Sequence, residues 1–215
     1  MITAVIPTLN AAPFLAATLA TIRDGVAEVI VVDGGSSDST VALAAAAGAR
    51  VIDAPRGRGG QIAAGIAAAS HPWLLLLHAD TRLAPGWLGA VRDDPTRAGY
   101  FRFVLNSREP AARRLERLVA WRCRVLGLPY GDQGLLIHRD LLAQVGGMRS
   151  LPLMEDVDLV RRLGRDRLVA LQADAMTSAA KWERDGYLWR SARNLLCLSL
   201  WIAAMPPRLI ARLYG

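Results

Sequence analysis

The chain reads as an α/β protein with a mostly parallel central sheet, and three observations carry that reading. Short, wholly apolar runs such as Val29-Ile30-Val31-Val32 and Trp73-Leu74-Leu75-Leu76-Leu77 stop abruptly in acid, glycine or serine, or in His78. Runs of that length without polar alternation suit strands buried on both faces. Between them lie segments of helical period, and strands alternating with helices give parallel sheets with right-handed crossovers. Hydrophobic residues make up 53% of the 215, enough for a sizeable core and too many for a disordered chain.

Taken in order, Ile2 to Ile6 is a strand, and Pro13 to Arg23 a helix with proline in its first turn. Val29 to Val32 is a strand, followed by the helix Ser39 to Ala47, where the serines and Asp38 are good N-caps. Arg50 to Ile52 is a strand, Gln61 to Ala69 a helix, and Trp73 to Leu77 a strand. Gly99 to Leu105 alternates like an edge or antiparallel strand, and Pro110 to Leu126 is a basic amphipathic helix. Gly134 to His138 is a strand, and Met154 to Leu163 a helix opened by acids. From Glu183 the pattern is helical, interrupted at Pro206-Pro207 and resumed to Tyr214. We therefore expect a catalytic domain over residues 1–182 and a C-terminal amphipathic helical tail over 183–215.

Net charge is +7, and of the 26 basic residues only Lys181 is lysine. Arginine-rich surfaces suit phosphate-bearing ligands or an anionic membrane surface. No basic patch interleaved with aromatics, zinc spacing or helix-turn-helix pattern accompanies the charge, so no nucleic-acid partner is expected. Cys123 and Cys197 lie far apart without metal-ligand spacing and read as small apolar residues of a reducing cytoplasm. The start, Met1-Ile2-Thr3-Ala4-Val5-Ile6-Pro7, reads as a strand and lacks the basic region of a signal peptide. Leu195 to Met205 would span only roughly 16 Å as a helix, against a bilayer core of about 30 Å. Arg190, Arg193, Arg208 and Arg212 flank an apolar, Trp201-bearing segment, which suits the inner face of the cytoplasmic membrane or packing on the domain.

Chemistry-bearing residues collect where apolar strands end. Open α/β sheets bind ligands at the carboxyl ends of their strands. Pro7-Thr8-Leu9-Asn10, Asp33 in VVDGGSSDST, and His78-Ala79-Asp80 all stand at such ends. A carboxylate there is costly unless solvated, hydrogen-bonded or metal-bound. The loop Pro55-Arg56-Gly57-Arg58-Gly59-Gly60-Gln61 joins glycines, arginines and a helix N-terminus, a combination that favours an anion.

Six stretches in this order, Pro7-Thr8-Leu9-Asn10, VVDGGSSDST, RGRGGQ, HADT, GDQG and EDVDL, resemble a family 2 glycosyltransferase of the GT-A fold. That fold is the Rossmann-like one of nucleotide-diphospho-sugar transferases, and the likeness is to its short, single-domain bacterial members. It spans roughly residues 1–165, and the Lys181-Trp182-Glu183-Arg184 stretch also looks like those members. The resemblance implies a donor nucleotide pocket lined by Pro7, Thr8, Asn10, Asp33, Arg58 and Gly60. It implies Asp80 as the last acid of an Asp-x-Asp motif holding Mn²⁺ or Mg²⁺, with His78 at the first acid's position. Asp156 matches the catalytic base, Glu155 its neighbour, and Gly131, Asp132 and Gln133 the acceptor side. The implied activity is inverting transfer of a sugar from a UDP- or GDP-sugar to an acceptor hydroxyl, with a lipid-linked acceptor among the options.

Three departures stand out: Gly34 replaces a frequent second acid, His78 replaces the first metal acid, and the Gln-x-x-Arg-Trp signature of processive synthases is absent. A non-catalytic nucleotide-sugar binding module, or a sugar nucleotidyltransferase of the same fold, would differ in turnover or in a basic glycine-rich loop after the first strand. An NAD-binding Rossmann enzyme would carry Gly-x-Gly-x-x-Gly there, where this chain has Pro-Thr-Leu-Asn.

Overall fold

Eight strands form one sheet in a computed structural model that describes residues 1–214, with the backbone alone at Arg212 and Tyr214. They are β1 (Ile2–Thr8), β2 (Glu28–Asp33), β3 (Arg50–Asp53), β4 (Trp73–Leu76), β5 (Thr81–Leu83), β6 (Ala98–Leu105), β7 (Leu135–His138) and β8 (Leu168–Thr177). Their order across the sheet is β3-β2-β1-β4-β7-β6-β8-β5. β3, β2, β1 and β4 run parallel, β7 is antiparallel to β4 and β6, β6 and β8 are parallel, and β5 closes the sheet antiparallel to β8. The parallel majority agrees with the sequence, whereas the strand begun at Gly99 is antiparallel to β7 but lies inside the sheet, not at its edge.

The helices are α1 (Ala12–Ile22), α2 (Thr40–Ala46), α3 (Arg58–Ala68), α4 (Pro110–Leu126), α5 (Arg139–Gln144), α6 (Glu155–Leu163), α7 (Ala180–Asp185), α8 (Tyr187–Ile202) and α9 (Pro207–Tyr214). Alternate residues of the apolar strands feed two cores, which is why those runs carry no polar alternation. Val5, Val32, Leu74 and Ile137 pack on one face with Ile62 of α3 and Val157 of α6. Ala4, Ile6, Val31, Leu75 and Leu136 pack on the other with Leu15 and Leu19 of α1. The result is a three-layer helix–sheet–helix stack.

The last helices are anchored in this stack. Cys197 and Leu198 of α8 and Ile210 of α9 belong to the first core, and α7 runs across the expected 182/183 boundary. The Arg212 flank expected of the tail lies outside the described side chains. Among the described residues, no helix is long and apolar enough to cross a membrane.

Candidate active site

The strand order reverses at β1, which has β2 on one side and β4 on the other. Such a reversal opens a crevice at the strands' carboxyl ends. Thr8, Asn10 and Asp33 flank it from β1 and β2, and His78 and Asp80 from β4.

The β1 and β2 ends are tied into one loop system. Asp33, only 3% exposed, accepts from Thr8 Oγ1 at 3.0 Å, from the Gly35 and Ser36 amides at 2.9 and 2.7 Å, and from Ser36 Oγ. Burial raises its pKa, but the Ser36, Thr8 and Gly35 hydrogen bonds outweigh this and hold the carboxyl below its ordinary range. Four donors fill a carboxylate's acceptor capacity, so in this arrangement Asp33 shapes the loop. Asn10, in the left-handed region at φ 51°, accepts from the Ser37 amide through Oδ1 and donates its own amide to Ser36. Asp38 accepts from the amides of Thr40 and Ala12, steadying the starts of both α2 and α1. Pro7 lies beyond Val5, the last residue of β1 to pair with β4, so its missing N–H breaks no bond on that side.

Gln61, which lies in the first turns of α3 because that helix begins at Arg58 and not at Gln61, donates through Nε2 to the carbonyls of Thr8 and Val32, both at 2.8 Å. It clamps the two strand ends and accounts for the first departure. A Cβ on Gly34 would stand 3.0 Å from that amide, so a larger side chain would press on the clamp. Gly59 is required by the 149–151 segment, whose Arg149 carbonyl would lie 2.6 Å from an added Cβ, while Gly60 faces Ser150 with room to spare.

The acids at 155 and 156 are aimed by backbone geometry. Met154 caps α6 in the left-handed region (φ 63°), unusual for a non-glycine residue and characteristic of strained functional positions. Glu155, 1% exposed, is paired with Arg58 Nε. Burial pushes its carboxyl up, against the pull of Arg58. Asp156 accepts from the Gly131 and Val157 amides, both at 2.8 Å, with Arg58 Nη2 3.8 Å away. Burial opposes its ionisation, but Arg58 and these amides prevail and its pKa falls below the ordinary value.

His78, Gly131 and Asp156 converge: a Cβ on Gly131 would meet His78 Nε2 at 2.6 Å and Asp156 Oδ2 at 3.2 Å. Burial, seconded by Arg58, pushes the His78 pKa down to about 4, so the imidazole is neutral at pH 7. Asp132 Oδ1 is buried without a hydrogen-bond partner, and burial raises that carboxyl to about 6. The Asp132 carbonyl accepts from Thr177 Oγ1 at 3.0 Å, which joins the end of β8 to the site. Gln133 is drawn away: 2% exposed, it donates to the Phe101 carbonyl and accepts from the Tyr130 amide.

These groups line a cleft of about 240 Å³ that holds Arg58, His78, Asp80, Asp132 and Asp156 together. Part of its wall comes from the C-terminal segment, through Thr177, Ser178, Lys181, Trp182, Arg190 and Asn194. The sequence signals for that wall were the isolated lysine at 181 and the Lys181-Trp182-Glu183-Arg184 stretch that contains it. Among the described residues, no three His, Cys, Asp or Glu side chains are grouped closely enough to hold a metal ion by themselves.

This fold is the GT-A fold of nucleotide-sugar-dependent glycosyltransferases. Residues 3–94 match the profile of glycosyl transferase family 2. It is 40% identical over 86 residues to uncharacterized glycosyltransferases of Mycobacterium tuberculosis and Mycobacterium bovis. That stretch covers 40% of this chain but only 39% of the relatives' length. Glucosyl-3-phosphoglycerate synthase from M. tuberculosis, solved with Mn²⁺ and UDP-glucose, superposes with a TM-score of 0.58 at 21% identity. The overlap covers 83% of this chain and 69% of that one. The same synthase with phosphoglyceric acid gives a TM-score of 0.56 at 20% identity, over 83% of this chain and 70% of the other. At such identities the likeness establishes the shared fold.

Proposed function

We propose that the chain is an inverting glycosyltransferase that moves a sugar from a UDP- or GDP-sugar to an acceptor hydroxyl. The observation that carries this reading is Asp156: an ionised carboxylate held by Gly131 and Arg58 in the same cleft as Asp80. With its pKa below the ordinary value, Asp156 is a base at neutral pH, and it takes the acceptor proton as the oxygen attacks the anomeric carbon. Glu155 is buried on Arg58 and does not line the cleft that holds Asp156 and Asp80, so it is not placed as a second nucleophile. A single displacement with inversion follows. Arg58 holds the two acids in register and sets the charge of the base.

Asp80 and neutral His78 fit a divalent ion as a partial ligand set, completed by donor phosphate oxygens and water, which is how Mg²⁺ and Mn²⁺ are often bound. Bound there, the ion would neutralise charge on the leaving diphosphate. The family match over residues 3–94 and the Mn²⁺–UDP-glucose complex of the structural neighbour support this assignment. Gly131 and Asp132 belong to the acceptor side in this reading, and Thr8, Asn10, Asp33 and Gly60 frame the nucleotide. Replacing Asp156 by Asn should lower transfer by about 10²–10⁴-fold, read as nucleoside diphosphate release. Donor affinity should stay intact, and full activity in that variant would remove Asp156 as the base.

The acceptor reading includes a membrane surface on the cytoplasmic side. Leu188, Trp189, Leu195, Leu196 and Ile202 are all more than half exposed and recur at heptad spacing along α8, with Arg184 and Arg208 exposed beyond its ends. An apolar stripe with cationic flanks on a chain of net charge +7 suits an anionic lipid interface.

A further inference from the structure

Lys181 is the only lysine among 26 basic residues, and it stands in the cleft with His78 and Asp80. The other cleft cations are committed to acids. Arg58 holds Glu155 and Asp156, and Arg190 donates to Asp185 at 2.8 Å. Lys181 is exposed, and among the described residues it forms no ion pair. Its position is nonetheless fixed. α7 starts two residues after Ser178, whose amide donates to the Asp80 carbonyl, and the residue after Lys181, Trp182, stacks on Tyr187. An ammonium group is a compact point charge, suited to an oxyanion whose approach is not planar and bidentate. Here it stands beside an incomplete metal set, where a diphosphate would leave charge uncompensated.

We propose that Lys181 binds the donor diphosphate directly and neutralises charge on the leaving group, alongside the ion that Asp80 would hold. This rests on the donor reading above and gives a role to a residue to which the family resemblance assigned none. No bond is made or broken by Lys181, which remains an ammonium throughout.

Reductive ¹³C-dimethylation, which preserves the charge, labels Lys181 and the N-terminal amine alone, and the 83% exposed Met1 provides an internal reference. The labelled full chain is titrated with UDP, GDP and glycerol 3-phosphate, each with EDTA and with Mg²⁺, beside calorimetry on Lys181→Ala and Lys181→Arg. One nucleoside diphosphate should move the Lys181 resonance and leave the N-terminal one still. Lys181→Ala should bind it about ten- to a hundredfold more weakly, most clearly in EDTA, and Lys181→Arg should stay within about threefold of the parent. Nucleotide binding with an unmoved resonance, or equal binding by Lys181→Ala, overturns the role of Lys181 and leaves the donor site standing. A resonance moved by glycerol 3-phosphate alone overturns it too, assigning Lys181 to the acceptor. No binding of either nucleotide by the parent chain overturns the donor reading, and this inference with it.

Discussion

At the scale of residues, Asp156 depends on a neighbour that has no side chain. Gly131 supplies the amide that holds Oδ2, and the absent Cβ leaves room for His78 Nε2. Gly131→Ala should displace both groups by several tenths of an ångström and lower kcat about a hundredfold in steady-state assays. An unchanged kcat would mean that neither position matters. Asp132 adds a pH dependence of stability. Burial raises its carboxyl to about 6 in the folded chain, above the ordinary 3.8. The stability from the protonated form is complete below about pH 4 and is lost as the pH rises through about 6. Asp132→Asn should therefore stabilise metal-free protein by about 1–3 kcal/mol at pH 7.5, with the gain vanishing near pH 4 in thermal melts. A gain independent of pH would contradict the raised pKa. The acids at strand ends were legible in the sequence because a carboxylate after an apolar run must have a reason to be there. The inward turn of Asp33 was not, since its four donors include Thr8, from a different strand. Gln61 stands within its motif, yet its clamp on Thr8 and Val32 depends on tertiary distance alone.

At the scale of elements, the first four strands and the helices between them follow from pattern, and Gly65 shows how tightly they pack. A Cβ there would stand 2.4 Å from Val5 Cγ1 and 2.9 Å from Val32 Cγ2. Helix propensity favours alanine by about 1 kcal/mol, but overpacking against two buried strands costs about 1–3 kcal/mol. Gly65→Ala should thus lose up to about 2 kcal/mol in urea denaturation, and a gain would mean that α3 has room above the sheet. β8 was not legible for a specific reason. Its pairing with β6 slips between Tyr100 and Arg102, so buried Leu168, Leu171, Ala175 and Thr177 do not keep a period of two. β5 has three residues, too few to show any period. α7 and α8 carry the cleft wall of Lys181, Trp182, Arg190 and Asn194, and the basic amphipathic pattern gave no sign that this wall faces the acids.

At the scale of the whole molecule, the tail is both a structural layer and a free surface. Cys197 and Leu198 close the core, while Leu195, Leu196 and Ile202 are 63, 53 and 58% exposed. Changing those three to serine should leave the melting temperature within a degree or two, because exposed substitutions have small effects. It should reduce sedimentation with anionic vesicles several-fold, and equal sedimentation would contradict the membrane surface. The donor site is the central claim, and calorimetric titration of the full chain with UDP, GDP, TDP, CDP and ADP, with and without Mn²⁺, tests it most directly. One nucleotide should bind with an affinity that Mn²⁺ raises, and Asp80→Ala should abolish the metal's contribution. Failure of all five to bind in either condition would contradict a nucleotide-sugar site in this cleft.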